Sequence, residues 1–184
     1  GSGSYCSGGL GRTISIDQSD AGVDYQVYFG GTAVGGIVGG TGLGISFGDF
    51  TSPGAYTVKG TDASTGCTAT MTGVANISVN PLPTIYNMGG GGNYCVGGSG
   101  VDVTLSSSAS GINYQLYLNG NPVGSAMAGT RSSLNFVAQT SAGVYTVVAT
   151  NVATGCSRQM SGVSTVGVNP LPTLFNVTGT GAYC

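Results

Sequence analysis

The cysteines stand at Cys6, Cys67, Cys95, Cys156 and Cys184, so their spacings run 61, 28, 61 and 28 residues. An alternation of that kind means an 89-residue unit written in tandem, and the surrounding text agrees without a gap. Tyr5-Cys6 returns as Tyr94-Cys95 and Tyr183-Cys184, Thr65-Gly66-Cys67 as Thr154-Gly155-Cys156, and Asn80-Pro81-Leu82-Pro83-Thr84 as Asn169-Pro170-Leu171-Pro172-Thr173. About 40 of the 89 aligned positions are identical. The period exceeds that of leucine-rich or ankyrin repeats and approaches one immunoglobulin-like sandwich of roughly 100 residues.

Within the second copy, stretches rich in β-branched and aromatic residues and bounded by Gly, Asn and Ser predict strands near 101–106, 112–118, 122–125, 134–138, 144–150 and 156–168, with a first strand near 85–88. Asn119-Gly120, and Gly30-Gly31 in the first copy, suit a type I′ turn, which requires positive φ at both central residues. Alternation puts Tyr25, Val27 and Phe29 on one face and Gln26 and Tyr28 on the other. Gly54, Tyr56, Thr57 and Val58 recur as Gly143, Tyr145, Thr146 and Val147, a pattern that resembles the tyrosine corner of immunoglobulin-like domains. The expected fold is therefore all-β, with tandem immunoglobulin-like β-sandwiches arranged end to end. Residues 1–80 form the first repeat with most of its first strand missing, and 81–84 form a proline-rich joint. Residues 85–169 form the second repeat, and 170–184 form a further joint and the first strand of a third. Two prolines in three residues fix φ and favour extended geometry before them, which makes the joint a semi-rigid spacer. Because the chain opens on Gly1, it reads as a processed or excised part of something longer.

Composition removes several classes of function. The chain has no His, no Glu, four basic residues, six aspartates and a net charge of −2, with 5% charged residues against roughly 25% in ordinary domains. Four cations cannot neutralise a phosphate backbone, so nucleic acid is a poor partner. An apolar share of 40% supports folding rather than disorder. No apolar run reaches the 18 residues of a membrane span. Without His, the usual general base and the commonest metal ligand are missing, and neither an enzyme nor a cofactor is expected. Asp17, Asp20 and Asp24 could offer oxygen ligands to calcium, but their counterparts Ser106, Ala109 and Asn113 could not, so they read as a solvated loop and no metal is expected. The run Gly89 to Gly92 lacks the Gly-Lys-Ser/Thr of a phosphate loop and reads as a flexible connector. Tyr28 and Tyr117 stand on the outward face, one per repeat, as a possible stripe for stacking on sugars or on a neighbouring rod; the alternative is packing against an adjacent strand. A surface of hydroxyls, amides and backbone repels itself weakly and favours contact with copies of itself or with a matrix.

The succession Tyr-Cys-x-Gly-Gly from Tyr5, Gly-Val-x-Tyr-Gln-Val-Tyr from Gly22, Gly-x-Tyr-Thr-Val from Gly54, Thr-Gly-Cys at Cys67 and Val-Asn-Pro-Leu-Pro-Thr from Val79 resembles the repeats of very large surface proteins of Bacteroidota, including adhesins similar to the mobile gliding adhesins. The resemblance covers the whole chain and concerns a repeat type. It implies immunoglobulin-like modules, export by the type IX route and a place on the cell surface or in an extracellular filament, and it implies no catalytic residues. The reading that follows is a structural and adhesive repeat segment of a secreted bacterial stalk or filament; the alternative is a carbohydrate-binding module of a surface protein. Its partners would be neighbouring repeats or copies of itself, and, in the alternative, surface glycans.

Cysteines held at one spacing through successive copies, without His and without C-x-x-C, read as a disulfide framework made outside the cytosol. Two pairings are open. Closing 61 residues rather than 28 differs by only about 0.7 kcal/mol, so entropy does not choose. Five hairpin-linked strands between Cys6 and Cys67 would leave the two at opposite ends of a sandwich, roughly 20 Å apart, whereas a disulfide needs Cα atoms within about 7 Å. That favours Cys6 with Cys156 across the joint, and Cys67 and Cys95 with the domains before and after. Fewer strands, or a lower Cys6, would allow Cys6 with Cys67 and Cys95 with Cys156.

Overall fold

The computed structural model of the chain describes residues 1–179 and Gly181. It separates into two compact units, Gly1–Leu82 and Pro83–Cys184. In unit 1 the strands are β1 (Gly3–Cys6), β2 (Arg12–Ile16), β3 (Val23–Phe29), β4 (Thr32–Gly39), β5 (Ile45–Phe50), β6 (Gly54–Asp62), β7 (Thr68–Thr70) and β8 (Ala75–Asn80). In unit 2 they are β9 (Met88–Gly90), β10 (Gly92–Cys95), β11 (Val101–Leu105), β12 (Ile112–Leu118), β13 (Asn121–Ala128), β14 (Leu134–Gln139), β15 (Gly143–Asn151), β16 (Ser157–Gln159) and β17 (Ser164–Asn169). No helix occurs among the described residues.

Each unit is a two-sheet sandwich with the same connectivity. The larger sheet runs β1-β8-β6-β3-β4 in unit 1 and β10-β17-β15-β12-β13 in unit 2, with β7 and β16 as short additions to β6 and β15. Facing it are β2-β5 in unit 1 and β14-β11-β9 in unit 2. A first strand parallel to the last, a six-strand sheet and a smaller sheet opposite make an immunoglobulin-like arrangement.

Alternation along the strands builds the core. Tyr25, Val27, Tyr56, Val58 and Ile77 point inward from the large sheet of unit 1 and meet Ile14 and Ile45 from the small one. Tyr114, Leu116, Tyr145, Val147 and Val166 meet Val103, Leu105, Leu134 and Phe136 in unit 2. The hairpin turns are as expected, with φ of 48° and 84° at Asn119 and Gly120 and 57° and 83° at Gly30 and Gly31. The phenol of Tyr56 donates to Ser52 O at 2.7 Å, and that of Tyr145 to Ser141 O at 2.8 Å; these are the tyrosine corners.

Four local expectations are corrected. The stretch 156–168 is not one strand: it breaks into β16 and β17 around Gly162, whose φ is 82°. The first strand of unit 2 begins at Met88 rather than near 85, and after Gly91 it leaves the small sheet for the large one as β10. Gly90 and Gly91, with φ of 74° and 81°, form this corner, so the glycine run is a shaped crossing and not a loose connector. Finally, β13 extends to Ala128, beyond the expected 122–125.

Candidate functional site

Among the described residues neither unit gathers His, Cys, Asp or Glu side chains into a cluster. Asp17, Asp20 and Asp24 are each exposed, and among the described residues no three His, Cys, Asp or Glu side chains converge on a metal-sized site. The chemistry-bearing positions are the cysteines and the outward tyrosines.

Cys6 ends β1, which runs parallel to β8 and sets Cys6 opposite Asn80. Cys67 precedes β7, where its carbonyl accepts the N–H of Asp62 at 2.9 Å. Because β6 is antiparallel to β8, Asp62 and Asn80 lie at opposite ends of the sheet. The nine residues of β6 lie between them, about 30 Å at ~3.3 Å per residue. As the strand count implied, five strands, β2 to β6, intervene between the two cysteines. A bond between Cys6 and Cys67 is therefore geometrically excluded within unit 1. Unit 2 repeats the geometry, with Cys95 opposite Asn169 and Cys156 bound to the Asn151 N–H at 2.8 Å.

The bonding state follows the same division. Cys6 and Cys156 are each disulfide-bonded, and Cys67 and Cys95 are exposed free thiols. The within-repeat alternative, Cys6 with Cys67 and Cys95 with Cys156, is thereby overturned. Cys184 lies outside the described residues.

A short turn leads into each second cysteine. The Asp62 carboxylate accepts the Ser64 hydroxyl at 2.7 Å, the Ser64 N–H at 2.8 Å and the Thr65 N–H at 3.0 Å. Led by the Ser64 hydroxyl, these donors hold its pKa at about 2. Asn151 fills the same role through its amide oxygen, which accepts Ala153 N–H at 2.9 Å and Thr154 N–H at 3.2 Å.

Tyr28 and Tyr117 lie on the outward face of the large sheets, half-buried, as alternation required. Tyr28 sits between Thr57 and Ala33, and Tyr117 between Thr146 and Pro122. The Lys59 ammonium stands 5.2 Å from the centre of the Tyr28 ring. Its counterpart is Val148, so the two surroundings differ.

Sequence reasoning missed a set of polar anchors that recur strand for strand. The Gln26 amide donates to Val34 O at 2.7 Å and that of Gln115 to Val123 O at 2.9 Å, each beside a register shift in its hairpin. Ser19 and Ser108 are buried, donating to Leu43 O at 2.6 Å and Ser132 O at 2.7 Å while accepting Thr41 N–H at 3.0 Å and Thr130 N–H at 2.9 Å. The recurrence of Tyr-Gln-x-Tyr and of a lone Ser six residues before a buried Tyr was the available signal.

No protein-family model matches the chain, and no curated protein matches it. Solved structures align along most of its length at low identity. The fibronectin(III)-like modules of Clostridium thermocellum CbhA share 12% identity over 91% of this chain and 90% of that one, with a TM-score of 0.40. The human OSCAR ligand-binding domain shares 16% over 85% and 90%, with a TM-score of 0.38. Bacteroides ovatus SGBP-B of a mixed-linkage glucan utilization locus, in complex with a mixed-linkage heptasaccharide, shares 16% over 92% of this chain and 43% of that one, with a TM-score of 0.28. At these scores the assignment of the sandwich stands on its own strand order.

Proposed function

We propose that the chain is a structural and adhesive segment of an extracellular stalk or filament, built of immunoglobulin-like repeats set end to end and carried on a bacterial surface. The observation that carries this reading is the repetition of a whole module, down to its buried serines, tyrosine corners and side-chain-capped turns, with no catalytic constellation among the described residues. In this reading Cys6 pairs with Cys156 across the proline joint. Support comes from the bonding state of these two beside the free thiols of Cys67 and Cys95. Cys67 and Cys95 then take cysteines of the repeats before and after, by exchange with an oxidised dithiol donor that is reduced as each bond forms. Disulfide-bonded cysteines in a small all-β chain fit an extracellular or cell-surface location.

Non-reducing peptide mapping tests the clamp. A proteolytic fragment joining the Cys6 and Cys156 peptides is the expected product, and a Cys6 to Cys67 fragment in its place refutes it.

A second reading, a carbohydrate-binding module, has one observation behind it: the half-exposed Tyr28 and Tyr117 rings stand outward on equivalent strands. Binding on a glycan array that disappears with Tyr28→Ala and Tyr117→Ala supports it, and an array without signal removes it.

A further inference from the structure

Asn119-Gly120 is the sole Asn-Gly step in the sequence, and it forms the exposed tip of the β12–β13 hairpin. A polypeptide modifies itself most readily at such a step, because glycine has no Cβ to keep its backbone nitrogen away from the asparagine carboxamide. Elsewhere the chain is less susceptible. Asn80, Asn121 and Asn169 precede proline, whose nitrogen has no proton to give up, and the remaining asparagines precede larger residues. The reaction is fixed by its atoms. The Gly120 nitrogen bonds to Cγ of Asn119 and closes a cyclic imide, while the proton of that nitrogen leaves with the Nδ2 group as ammonia. Water then opens the ring at one carbonyl or the other and leaves aspartate or isoaspartate; nothing is oxidised or reduced.

In the folded chain the carboxamide is held elsewhere. The Asn119 Oδ1 accepts the Val144 N–H at 3.0 Å while the Asn119 N–H donates to Val144 O at 2.9 Å, a two-point attachment to the start of β15. The side chain lies against Gly143, where a Cβ would meet Nδ2 at 2.7 Å and Oδ1 at 3.0 Å, so a residue without a Cβ makes room for it. To close the imide the carboxamide has to turn onto Gly120, and that gives up the Val144 bond.

Unit 1 has the same turn without the attachment. Gly30-Gly31, with φ of 57° and 83°, stands at the equivalent place. The ground beside Gly54, the counterpart of Gly143, is filled by the Phe29 ring, whose Cε2 and Cζ would lie 2.5 and 3.1 Å from a Cβ there. That ring is held by stacking on Tyr56, with centroids 4.7 Å apart. A side chain at position 30 therefore has no path to Gly54 like the one Asn119 takes to Gly143.

We propose that Asn119 is a guarded self-modification site: the bond to Val144 keeps the carboxamide off Gly120 while unit 2 is folded, and opening of the hairpin releases it to imide formation. The product keeps a record of the opening. Isoaspartate places an additional carbon in the main chain of a two-residue loop whose length sets the register of β12 against β13, so a hairpin that has reacted does not close as before. The reaction involves no cysteine and no second copy, so it stands apart from the disulfide clamp and from the stalk.

The test follows deamidation at Asn119 in the full chain, in mildly alkaline buffer, by peptide mapping with an isoaspartate-specific methyltransferase, once folded and once unfolded in guanidinium chloride. The folded chain should react at least about tenfold more slowly. Gly30→Asn puts the same step into unit 1, where a Cβ meets nothing within 4 Å, and in the folded chain this new step should react near the unfolded rate. At denaturant concentrations below the unfolding transition, the rate at Asn119 should rise in step with hydrogen exchange of the Val144 N–H. Gly120→Ala, read in the unfolded chain where its effect on the turn is immaterial, should slow the reaction. Equal rates at Asn119 in the folded and unfolded chain, a Gly30→Asn step as slow as Asn119 in a chain with an unchanged melting curve, or a rate that does not follow Val144 exchange would each overturn the guard. An Asn119 that stays intact in the unfolded chain, or one that Gly120→Ala leaves as fast, would overturn the site itself.

Discussion

Ser108 shows how a residue without chemistry comes to be kept through a repeat. Its hydroxyl is buried between two backbone segments, donating to Ser132 O and accepting from Thr130 N–H, and Ser19 does the same in unit 1. Removing the hydroxyl leaves a carbonyl and an N–H without partners in a dry site, which costs about 1–3 kcal/mol. Ser108→Ala should therefore lower the stability of unit 2 by that amount, read as a shift in the urea midpoint. Asp62 acts through charge. Its pKa is about 2 in the folded state against 3.8 in the open chain, so the stabilisation it brings is complete above about pH 4 and fades as the pH falls toward 2. Asp62→Asn keeps the acceptor, as Asn151 does natively, and should flatten the acid limb of the melting temperature measured between pH 4 and 2. An unchanged limb would place the acid sensitivity elsewhere, with Asp102 the next candidate, since the Asn135 amide and the Ala138 N–H also lower its pKa.

At the level of elements, periodicity marked the strands well where one face is buried and poorly where backbone geometry intervenes. The strand expected at 112–118 is β12 residue for residue, because Ile112, Tyr114 and Leu116 alternate inward. The end of β13 lies beyond the expected one because a register shift beside Gln115 carries the hairpin past Gly124, and a period-two pattern does not encode a bulge. Gly162 and Gly91 break strands by positive φ, which Gly permits and never announces. The cysteine spacings made the repeat plain, but the bonding state of the individual cysteines depends on which sandwich end each occupies, a property of strand count. Some glycines are kept for closeness. A Cβ on Gly129 would lie 1.9 Å from Ala109 O and 3.0 Å from the Tyr114 ring, and one on Gly40 would lie 2.0 Å from Asp20 O. Gly129→Ala and Gly40→Ala should each cost about 1–3 kcal/mol by overpacking. Gly36→Ala, which meets nothing within 4 Å, should stay within about 0.5 kcal/mol on the same thermal assay.

For the whole molecule the decisive quantity is how rigidly successive repeats are joined. Asn-Pro-Leu-Pro-Thr confines the backbone between units, since each proline fixes its own φ and biases the residue before it to extended geometry. With 5% charged residues, little electrostatic repulsion is available to straighten a loose joint, so the stiffness that the proposed stalk requires would come from proline and from covalent linkage. If the proposed Cys6 to Cys156 cystine spans that joint, it adds a second tether to the chain itself, and two tethers remove the swivel that one allows. Chains of two, four and six repeats should then give, in small-angle scattering, a maximum dimension that grows by a constant increment per repeat, of at least the roughly 30 Å covered by the nine residues of β6. Adding a reductant, or making Cys6→Ser, should shorten the apparent length and broaden the distance distribution without unfolding either sandwich, because neither core contains a cystine between its own two cysteines. Square-root scaling with repeat number under oxidising conditions would mean that the joints are flexible and would remove the rod on which the stalk reading depends.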